Sequence, residues 1–311
     1  MEVCAREVMK VRTRCPACLG VGLSVVYEEP YTGPGVSGYL ARQYHGRASH
    51  AVDDCTYTLC SCDACGLVFQ KYVPSDPLLA ELYNAWIPGT EQERTSHNQQ
   101  LEQYRYLSEQ VQFLIQHSGV APGELDVLDF GFGWGEWSRM AMGFGCNVWG
   151  VELSTDRANY GRSIGVRVVE LDALPPRKFY FINTEQVFEH LTEPRAVLER
   201  LVESLAPAGL IKISVPNAKD ALRKLARGDF GGLSAQDQMP IAPLEHINAF
   251  DPDSLVAFGR TVGLKPMRPD LFRLYNSASG LLEIRRLMRT LARPVYRHIY
   301  PRSTFVYFAR G

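Results

Sequence analysis

The sequence predicts an α/β fold with a doubly wound, mostly parallel sheet, preceded by a small module rich in cysteine. From about residue 125, short apolar runs alternate with helical stretches, which is typical of βα units. A glycine-rich turn, GFGWG at residues 131–135, directly follows the first apolar run. Two Cys-x-x-Cys pairs lie upstream, at Cys15/Cys18 and Cys62/Cys65. Together these patterns indicate one large α/β domain and one small domain.

The alternation of elements defines the predicted sheet. Apolar runs with the length of buried strands cover residues 126–130, 147–153, 166–170, 179–183 and 210–215. Helices are predicted over 97–118 and 194–206, where apolar residues recur at three- and four-residue spacing. Asp251 followed by Pro252 predicts a helix start, and Gly263 predicts the helix end. Residues 304–309 are a predicted terminal strand, and 217–250 are predicted to be mostly irregular, with one short basic helix near 219–227.

The bulk composition places few limits on function. The chain has 311 residues, a hydrophobic fraction of 46% and a formal net charge of −1. This balance gives no general attraction to nucleic acid or to anionic membranes. No apolar run reaches the roughly 20 residues that a membrane-spanning helix needs, and the N-terminus lacks the apolar core of a secretory signal. We therefore expect a cytoplasmic protein with no membrane span and no nucleic-acid partner.

The paired cysteines predict a structural zinc site. Structural disulfides are rare in a reducing compartment, and two residues between cysteines suit a turn that presents both sulfurs to one tetrahedral Zn²⁺. The predicted ligands are Cys15, Cys18, Cys62 and Cys65. The alternatives are a redox pair or free core cysteines, but two such pairs favour zinc. Cys60 lies two residues from Cys62, a spacing that suits a ligand poorly.

The glycine-rich turn and the acidic residues near it predict a ligand site at the end of the sheet. The spacing is G-x-G-x-G, whereas a dinucleotide-binding turn has G-x-G-x-x-G. Glycine is needed where the backbone turns sharply and approaches a ligand closely. Asp129 precedes the turn, Glu152 ends the second strand and Asp172 follows the third. Each could alone cap a turn or lie at the surface, but ligands bind at the carboxyl ends of parallel strands, where all three lie.

These motifs resemble those of class I methyltransferases, which use S-adenosylmethionine. Asp129 and the glycines resemble the family's acidic-x-G-x-G-x-G motif, and the stretch FINTEQVFEHLTEPRAVLERLVESLAPAGLIKISVPN resembles its later strand, loop, helix and strand. The resemblance covers about residues 120–218 and departs from the family at Tyr180 and Ala208, where Asp and Gly are usual. It implies a Rossmann-like, seven-stranded sheet. It also implies that S-adenosylmethionine is bound by Asp129, Gly131, Gly133, Gly135, Glu152, Leu153, Asp172, Ala173 and Glu185.

The order of motifs along the chain resembles a bacterial group of zinc-ribbon methyltransferases. The order is C-P-x-C, then C-x-x-C-G-L-V-F, then P-S-x-x-x-L-x-x-x-Y, then the methyltransferase segment. That group includes enzymes that C-methylate nucleotide-linked deoxysugars. The resemblance therefore implies a small-molecule, glycan or nucleotide-sugar acceptor and O- or C-methylation in a biosynthetic or tailoring pathway. The sequence departs from the sugar enzymes at Pro243, where they have tyrosine.

Histidine is the predicted proton acceptor. Methyl transfer to a hydroxyl or a carbon acid requires alignment and removal of a proton, and imidazole suits this task near neutral pH. The resemblance to the sugar enzymes points to His246, oriented by Glu245, as the general base, and His190 is the second candidate. Either histidine could instead brace its loop. Tyr83 could close over the substrate or simply pack as an aromatic residue.

The predicted organisation has three parts and leaves rival functions open. It comprises a zinc-binding module at 1–80, a helical linker at 81–119 and a cofactor-binding domain at 120–311, with 217–250 as a substrate loop or lid insertion. The basic stretch 281–302 could meet an anionic substrate, or it could be the solvated face of a helix. In the second case the inward residues would be Leu281, Ile284, Leu287, Met288 and Leu291. The rivals are an RNA or protein methyltransferase and a non-catalytic binding protein that retains the fold, while the glycine spacing disfavours an NAD-dependent dehydrogenase.

Overall fold

The computed structural model describes residues 8–45, 47–48, 51–82, 86, 101–269, 288, 291–295, 299 and 303–310. The chain divides into two compact units, each assembled from separate segments. Unit 1 combines Met1–Arg94, Phe188–Ala196 and Val215–Thr261, and unit 2 combines Thr95–Val187, Val197–Ser214 and Val262–Gly311. Tyr83 and most of the basic stretch 281–302 lie outside the described residues.

Strands and helices alternate through most of the chain. The strands are β1 (Met9–Val11), β2 (Leu23–Pro30), β3 (Thr56–Cys62), β4 (Val68–Gln70), β5 (Tyr72–Pro74), β6 (Asp126–Phe130), β7 (Asn147–Val151), β8 (Arg167–Val168), β9 (Phe179–Glu185), β10 (Leu205–Pro216), β11 (Asn248–Ala249), β12 (Leu264–Met267) and β13 (Ser303–Arg310). The α-helices are α1 (Pro34–Gln43), α2 (Asp76–Glu81), α3 (Leu101–Ser118), α4 (Glu136–Gly143), α5 (Thr155–Ser163), α6 (Pro194–Ser204), α7 (Lys219–Leu225), α8 (Ala235–Gln238) and α9 (Pro252–Arg260). Short 3₁₀ helices cover Pro122–Glu124, Leu171–Ala173 and Met239–Ile241. Within the described ranges, no helix combines the length and apolar character that crossing a membrane requires.

A seven-stranded sheet forms the centre of unit 2. Its strand order is β12-β13-β10-β9-β6-β7-β8. The neighbouring pairs from β10 to β8 are parallel, whereas β12 and β13 are antiparallel. Most side chains of the central strands β6 and β9 are buried, and those of Val127, Leu128, Phe181 and Ile182 are fully inaccessible to solvent. Near-continuous apolar strands of this kind are typical of a parallel sheet whose two faces are both covered. The predicted α/β, Rossmann-like fold with seven strands is confirmed.

The third predicted strand differs most from the observed one. The sequence predicts a strand over 166–170, but only Arg167–Val168 pair with β7. The chain then turns into the 3₁₀ helix Leu171–Ala173, which no apolar alternation indicates. Strand β10, in contrast, is longer than predicted and begins at Leu205 rather than near 210. Leu205 already pairs with β9, and the regular pairing resumes at Leu210 after an irregularity in the register.

Two antiparallel sheets lie in unit 1. Strand β1 pairs with β5, and a four-stranded sheet has the order β11-β4-β3-β2. Strand β11 comes from the segment 217–250, and its Asn248 pairs with Phe69 of β4. The same segment contains α7 and α8, and its Phe230, Ile241 and Leu244 side chains are fully inaccessible to solvent. The segment is therefore more ordered than its sequence indicates, because its apolar residues pack without a regular period.

The basic stretch 281–302 differs from its predicted packing where it is described. Met288 and Leu291 are 63% and 64% exposed, so the prediction that they pack inward is wrong. Arg293 is buried instead and forms an ion pair with Glu109 of α3. A buried ion pair thus holds this part of the chain against α3. Apolar periodicity in the sequence does not indicate a contact of this kind.

Helix α9 begins with the capping box that the sequence predicts only in part. Asp251 Oδ1 accepts a hydrogen bond from Ser254 N at 2.7 Å, and Ser254 Oγ accepts one from Asp251 N at 2.9 Å. Replacing Asp251 with alanine leaves a helix N–H without its acceptor, and we expect the free energy of unfolding to fall by about 1 kcal/mol. Urea denaturation followed by circular dichroism measures this change.

The control for this prediction is Asp253→Ala. Asp253 lies in the first turn of the same helix and makes no capping bond, so only its interaction with the helix dipole is lost, about 0.3 kcal/mol. Equal losses for the two variants would show that the capping box does not stabilise the helix.

Candidate functional site

The paired cysteines converge in unit 1. Cys15 Sγ lies 3.6 Å from Cys65 Sγ, and Cys18 Sγ lies 3.4 Å from Cys62 Sγ. Four thiolates bound to one Zn²⁺ at about 2.3 Å would lie roughly 3.8 Å apart. These two distances are close to that value, and all four sulfurs lie within 4.8 Å of one another. Cys60 is also free, but its sulfur is not part of this group.

The same backbone turn presents each cysteine pair. Cys15 and Cys62 each donate a backbone N–H to the carbonyl five residues later, at 2.9 and 3.0 Å. The residue four positions later, Leu19 or Gly66, donates back to the cysteine carbonyl and has a positive φ, 64° or 74°. Two copies of one turn thus present their sulfurs in the same way, although only the second has the glycine that this backbone conformation favours.

The glycine-rich turn of unit 2 depends on its glycines. Gly131, Gly133 and Gly135 all have positive φ, at 71°, 55° and 70°. A Cβ at Gly131 would lie 2.5 Å from Cγ2 of Val187, so no side chain fits there. At Gly133, no described residue other than its two chain neighbours has an atom within 4 Å of the corresponding Cβ position, which leaves the backbone open on that side. The turn therefore exposes backbone, as close approach of a ligand requires.

Glu152 holds the centre of this turn. Its carboxylate accepts hydrogen bonds from Gly133 N and Ser154 N, each at 2.9 Å. These bonds place the end of β7 against the turn that follows β6. The next residue, Leu153, is 90% exposed, which is unusual for a leucine in an ordered α/β unit. The exposed leucine side chain could contact an aromatic ring, and the fixed carboxylate could accept hydrogen bonds from a sugar, so the pair suits a ligand that contains both.

Asp129 lies beneath the turn and is 3% exposed. Its carboxylate accepts hydrogen bonds from Ser138 Oγ at 2.7 Å and from Asn183 Nδ2 at 2.9 Å. Burial raises the pKa of Asp129 to about 6, although both hydrogen bonds act in the opposite direction. Asp129 thus joins strand β6 to helix α4 and strand β9. Sequence reasoning missed Ser138 and Asn183, and the only available signal was a polar residue within the apolar strand FINTE.

Glu185 ends β9 beside a buried lysine. Lys212 of β10 is 1% exposed and forms an ion pair with Glu185. Its ammonium also donates to Gln110 Oε1 at 2.7 Å, and Ser214 Oγ donates to Glu185 Oε1 at 2.9 Å. These donors fix the Glu185 carboxylate while leaving it partly exposed. Lys212 was not predicted, because a lysine in the apolar run LIKISV carries no motif.

Asp172 and Ala173 lie in the 3₁₀ helix after β8, and both are exposed. The carbonyl of Asp172 accepts a hydrogen bond from Arg200 of α6 at 3.2 Å, and Arg200 also donates to the carbonyl of Leu174. The backbone is thus held from α6, while the Asp172 carboxylate stays accessible at the carboxyl end of the sheet.

Two histidines come together in unit 1. The ring centroids of His190 and His246 are 4.8 Å apart in an edge-to-face arrangement. His190 Nδ1 lies 2.9 Å from the carbonyl of Glu245, so this nitrogen carries the proton and Nε2 keeps its lone pair. His246 Nδ1 is buried and has no hydrogen-bond partner in the described part of the chain. Burial lowers the pKa of His190 to about 4 and that of His246 to about 3, so both rings are neutral near pH 7.

The Glu245 side chain does not orient His246 as predicted. Its Oε1 accepts hydrogen bonds from Tyr44 Oη at 2.5 Å and from Gln43 Nε2 at 3.4 Å. The link from Glu245 to the histidines runs instead through its backbone carbonyl, which fixes His190. The three predicted catalytic residues lie together, but the contacts of the Glu245 side chain differ from those expected from the sequence.

A buried glutamine holds the turn that carries Glu245 and His246. Gln70 Nε2 donates to the carbonyls of Ala242 at 2.9 Å and His246 at 3.2 Å, while its Oε1 accepts from Leu244 N at 3.3 Å. Leu244 has φ of 70°, a conformation that costs free energy for a leucine. Such a conformation persists only where surrounding bonds enforce it. Gln70, on β4, was not predicted, since a single glutamine in a strand carries no functional signal.

The loop that carries His190 is held in a comparable way. Asn248 Nδ2 donates to the carbonyls of Phe188 at 2.8 Å and Leu191 at 2.7 Å, and Asn248 N donates to the carbonyl of Glu189 at 3.0 Å. Arg12 in turn donates to Asn248 Oδ1 at 2.8 Å. The backbone on both sides of His190 is therefore fixed by side chains that lie far away in the sequence.

Glu189, His190 and His246 also raise the question of a metal ion. Together they offer a carboxylate and two imidazoles. Glu189 Oε1 lies 3.8 Å from His190 Nε2, whereas two ligands of one ion with bonds of about 2.1 Å would lie roughly 3.0–3.4 Å apart. The Glu189 carboxylate and the His190 ring are therefore farther apart than two ligands of one bound ion.

A family model described as a methyltransferase domain matches residues 96–267. A search of curated proteins found no match. Among solved structures, an S-adenosylmethionine-dependent methyltransferase from Mesorhizobium loti is 16% identical, with a TM-score of 0.41 over 61% of this chain and 93% of that one.

Two further solved structures have similar scores. Geranyl diphosphate C-methyltransferase from Streptomyces coelicolor is 18% identical, with a TM-score of 0.42 over 65% of this chain and 80% of that one. The plantazolicin methyltransferase is 12% identical, with a TM-score of 0.48 over 75% of this chain and 94% of that one. The match to the family model spans more than half of the sequence. The chain therefore belongs to the methyltransferase domain family and is an S-adenosylmethionine-dependent methyltransferase.

Proposed function

We propose that the protein methylates an oxygen or carbon atom of a small-molecule or glycan acceptor, such as a nucleotide-linked sugar, in a biosynthetic or tailoring pathway. The observation that carries the proposal is the pair of neutral, partly buried imidazoles of His190 and His246 beside Glu245. A hydroxyl group or an activated C–H group must lose a proton when it is methylated, and a neutral imidazole can accept it. An amine can attack through its own lone pair, so a built proton acceptor favours O- or C-methylation.

Unit 2 has the groups that S-adenosylmethionine needs. We assign the backbone of the turn at Gly131, Gly133 and Gly135, which is open on the side of Gly133, to its amino-acid and ribose parts. The carboxylate of Glu152 is suited to accept hydrogen bonds from the ribose hydroxyls. The exposed Leu153 side chain would cover one face of the adenine. The cofactor supplies an electrophilic methyl group on its sulfonium, so the protein has to supply the proton acceptor.

The remaining predicted residues complete this assignment. Asp172 and Ala173 would bind the adenine amino group through the carboxylate and the backbone. Glu185, fixed by Lys212 and Ser214, would accept a hydrogen bond from the cofactor's ammonium group. Asp129 would act through the shape of the turn, because its oxygens already bind Ser138 and Asn183.

We also propose that Cys15, Cys18, Cys62 and Cys65 bind one structural Zn²⁺. The sulfur spacing and the duplicated turns support this assignment. The ion would tie the chain before β2 to the end of β3, and metal bound only by the folded chain adds its binding free energy to stability.

Calorimetric titration tests the cofactor assignment. We expect S-adenosylhomocysteine to bind and NAD⁺ not to bind. Replacing Glu152 with alanine removes hydrogen bonds to a charged acceptor, so S-adenosylhomocysteine should bind about 10- to 100-fold more weakly. Glu124→Ala, an exposed glutamate before β6, is the control and should bind like the wild type. Binding of NAD⁺, or unchanged affinity in the Glu152 variant, would contradict the assignment.

Metal analysis tests the zinc site. We expect about one zinc per chain for a single tetrahedral four-thiolate site. Cys62→Ser should lose the metal and unfold at a lower temperature, because three thiolates remain to hold the ion. Cys60→Ser is the matched control: it also removes a buried thiol from β3, but that thiol is not in the cluster. The site is disproved if Cys62→Ser retains zinc or if the wild type contains none.

Methyl transfer from labelled S-adenosylmethionine to a panel of nucleotide-linked sugars, phenols and other hydroxylated acceptors tests the activity itself. With the acceptor so identified, His246→Gln and His190→Gln should lower kcat by about 10²- to 10⁴-fold while S-adenosylhomocysteine still binds. Because burial lowers the pKa of both rings to about 4 or below, they lose their accepting lone pairs only as the pH falls through that range.

The control for the histidine variants is His45→Asn. His45 is exposed and has φ of 51°, which asparagine tolerates. Its kcat should equal that of the wild type. Unchanged kcat in both His190→Gln and His246→Gln would show that neither histidine accepts the proton.

A further inference from the structure

Helix α1 ends against the Glu245 carboxylate. The helix lies between the two cysteine pairs of the N-terminal region, and Tyr44 follows its last residue. The Tyr44 hydroxyl donates to Glu245 Oε1 at 2.5 Å and approaches the Pro243 carbonyl at 3.3 Å. Gln43 adds a longer contact of 3.4 Å to the same carboxylate oxygen. The N-terminal region therefore reaches the group that the proposed function uses.

Tyr44 is rigidly placed for this contact. Its side chain is fully inaccessible to solvent, and its ring packs against Trp86 with 5.6 Å between the centroids. Among the described residues, both hydrogen bonds to the Glu245 carboxylate go to Oε1. One oxygen is thus clamped, and the other remains available to an incoming group.

The backbone around Glu245 is equally constrained from the N-terminal region. Gln70 binds the carbonyls on both sides of Leu244 and the Leu244 N–H, and it holds this residue at positive φ. Gln70 sets the backbone of the turn, and Tyr44 sets the side chain that projects from it. Gln70 and Tyr44 thus fix both the backbone of this turn and the position of the Glu245 carboxylate.

We propose that Tyr44 is a positioning residue of the methyltransferase: its hydroxyl fixes the Glu245 carboxylate as an anion and presents the second carboxylate oxygen to a hydroxyl group of the acceptor. This inference rests on the proposed function, since it assigns Glu245 to the acceptor side of that reaction. It gives the N-terminal region a direct part in acceptor binding, in addition to any structural role of its metal site.

The charges around Glu245 make this hydrogen bond important. Tyr39 of α1 and Tyr44, which follows the helix, interact with the carboxylate. His190 contacts the backbone carbonyl of Glu245, and His246 follows Glu245 in the chain. All four of these groups are neutral near pH 7. Burial raises the pKa of Glu245, the bonds from Tyr44 and Gln43 lower it, and the Tyr44 bond is the stronger of these two contributions. Without Tyr44 the carboxyl group would therefore hold its proton to higher pH.

The test compares Tyr44→Phe with Tyr27→Phe in the full-length protein. Tyr27 Oη donates to Glu29 Oε2 at 2.6 Å, so the control removes a tyrosine–glutamate hydrogen bond of nearly the same length elsewhere in unit 1. Glutamate labelled with ¹³C at the carboxyl carbon reports the titration of Glu245, and Glu245→Gln assigns the signal. We expect the pKa of Glu245 to rise in Tyr44→Phe and to stay constant in Tyr27→Phe.

The second readout is the pH profile of kcat/KM with the acceptor identified in the screen. The pKa of Glu245 is raised, whereas the pKa values of His190 and His246 are lowered, so ionisation of Glu245 should set the acid limb. In Tyr44→Phe this limb should move to higher pH. Near the wild-type midpoint kcat/KM should fall about 10-fold or more, because a hydrogen bond to an ionised group is lost. At high pH, where Glu245 is ionised in both proteins, the difference should shrink. Tyr27→Phe should follow the wild-type profile.

The outcomes separate this inference from the proposed function. An upward shift of both the Glu245 titration and the acid limb, confined to Tyr44→Phe, supports it. An unchanged Glu245 titration in that variant, or a uniform loss of activity at every pH, overturns it. If no acceptor is methylated, the proposed function fails, and the assignment of Tyr44 as a positioning residue fails with it. The carboxyl titration then still shows whether Tyr44 keeps Glu245 ionised.

Discussion

A buried guanidinium joins the separate segments of unit 1. Arg12 donates to the carbonyls of Ile247 at 3.1 Å, Leu191 at 3.1 Å and Thr192 at 2.8 Å, as well as to the side chain of Asn248. The bond to Ile247 is buried and those to Leu191 and Thr192 are partly buried. Carbonyls withdrawn from water need donors, and Arg12 supplies them. Burial lowers the pKa of Arg12 to about 10, which still leaves it charged near neutral pH. One side chain thus holds together three parts of unit 1: the segment around Arg12, the loop before α6 and strand β11.

Sequence patterns predicted the parts of this protein that are local. The strand before GFGWG, the turn itself and the carboxylates at the next strand ends are each contained in a few residues, and backbone conformation limits them to glycine or to short polar side chains. The Cys-x-x-Cys pairs are local in the same sense. The seven-stranded sheet follows from these signals because the connections between parallel strands repeat. The third strand was predicted too long, because two paired residues are too few to define its bounds by an alternation.

The missed residues have a common physical character. Arg12, Gln70, Lys212 and Asn248 are buried polar side chains whose partners lie elsewhere in the sequence. In the sequence, each of them is only a polar residue in or near an apolar strand. Its role emerges only when the fold brings distant carbonyls or carboxylates within 3 Å or so of its donors. The histidines were predicted by resemblance, but their environment was not, so the sequence could not show that the Glu245 side chain turns toward Tyr44 rather than toward His246.

The discontinuous course of unit 1 constrains how such a protein can be altered by recombination. Its four-stranded sheet takes three strands from the first quarter of the chain and its fourth, β11, from residues 248–249. Phe230, Ile241 and Leu244 have their buried environment in that same unit. A gene rearrangement that exchanged only the N-terminal segment for that of another methyltransferase would leave these apolar side chains facing water or an ill-fitting surface. A recombination that preserves the fold of unit 1 must therefore exchange the N-terminal segment and residues 217–250 together, although the two are far apart in the gene.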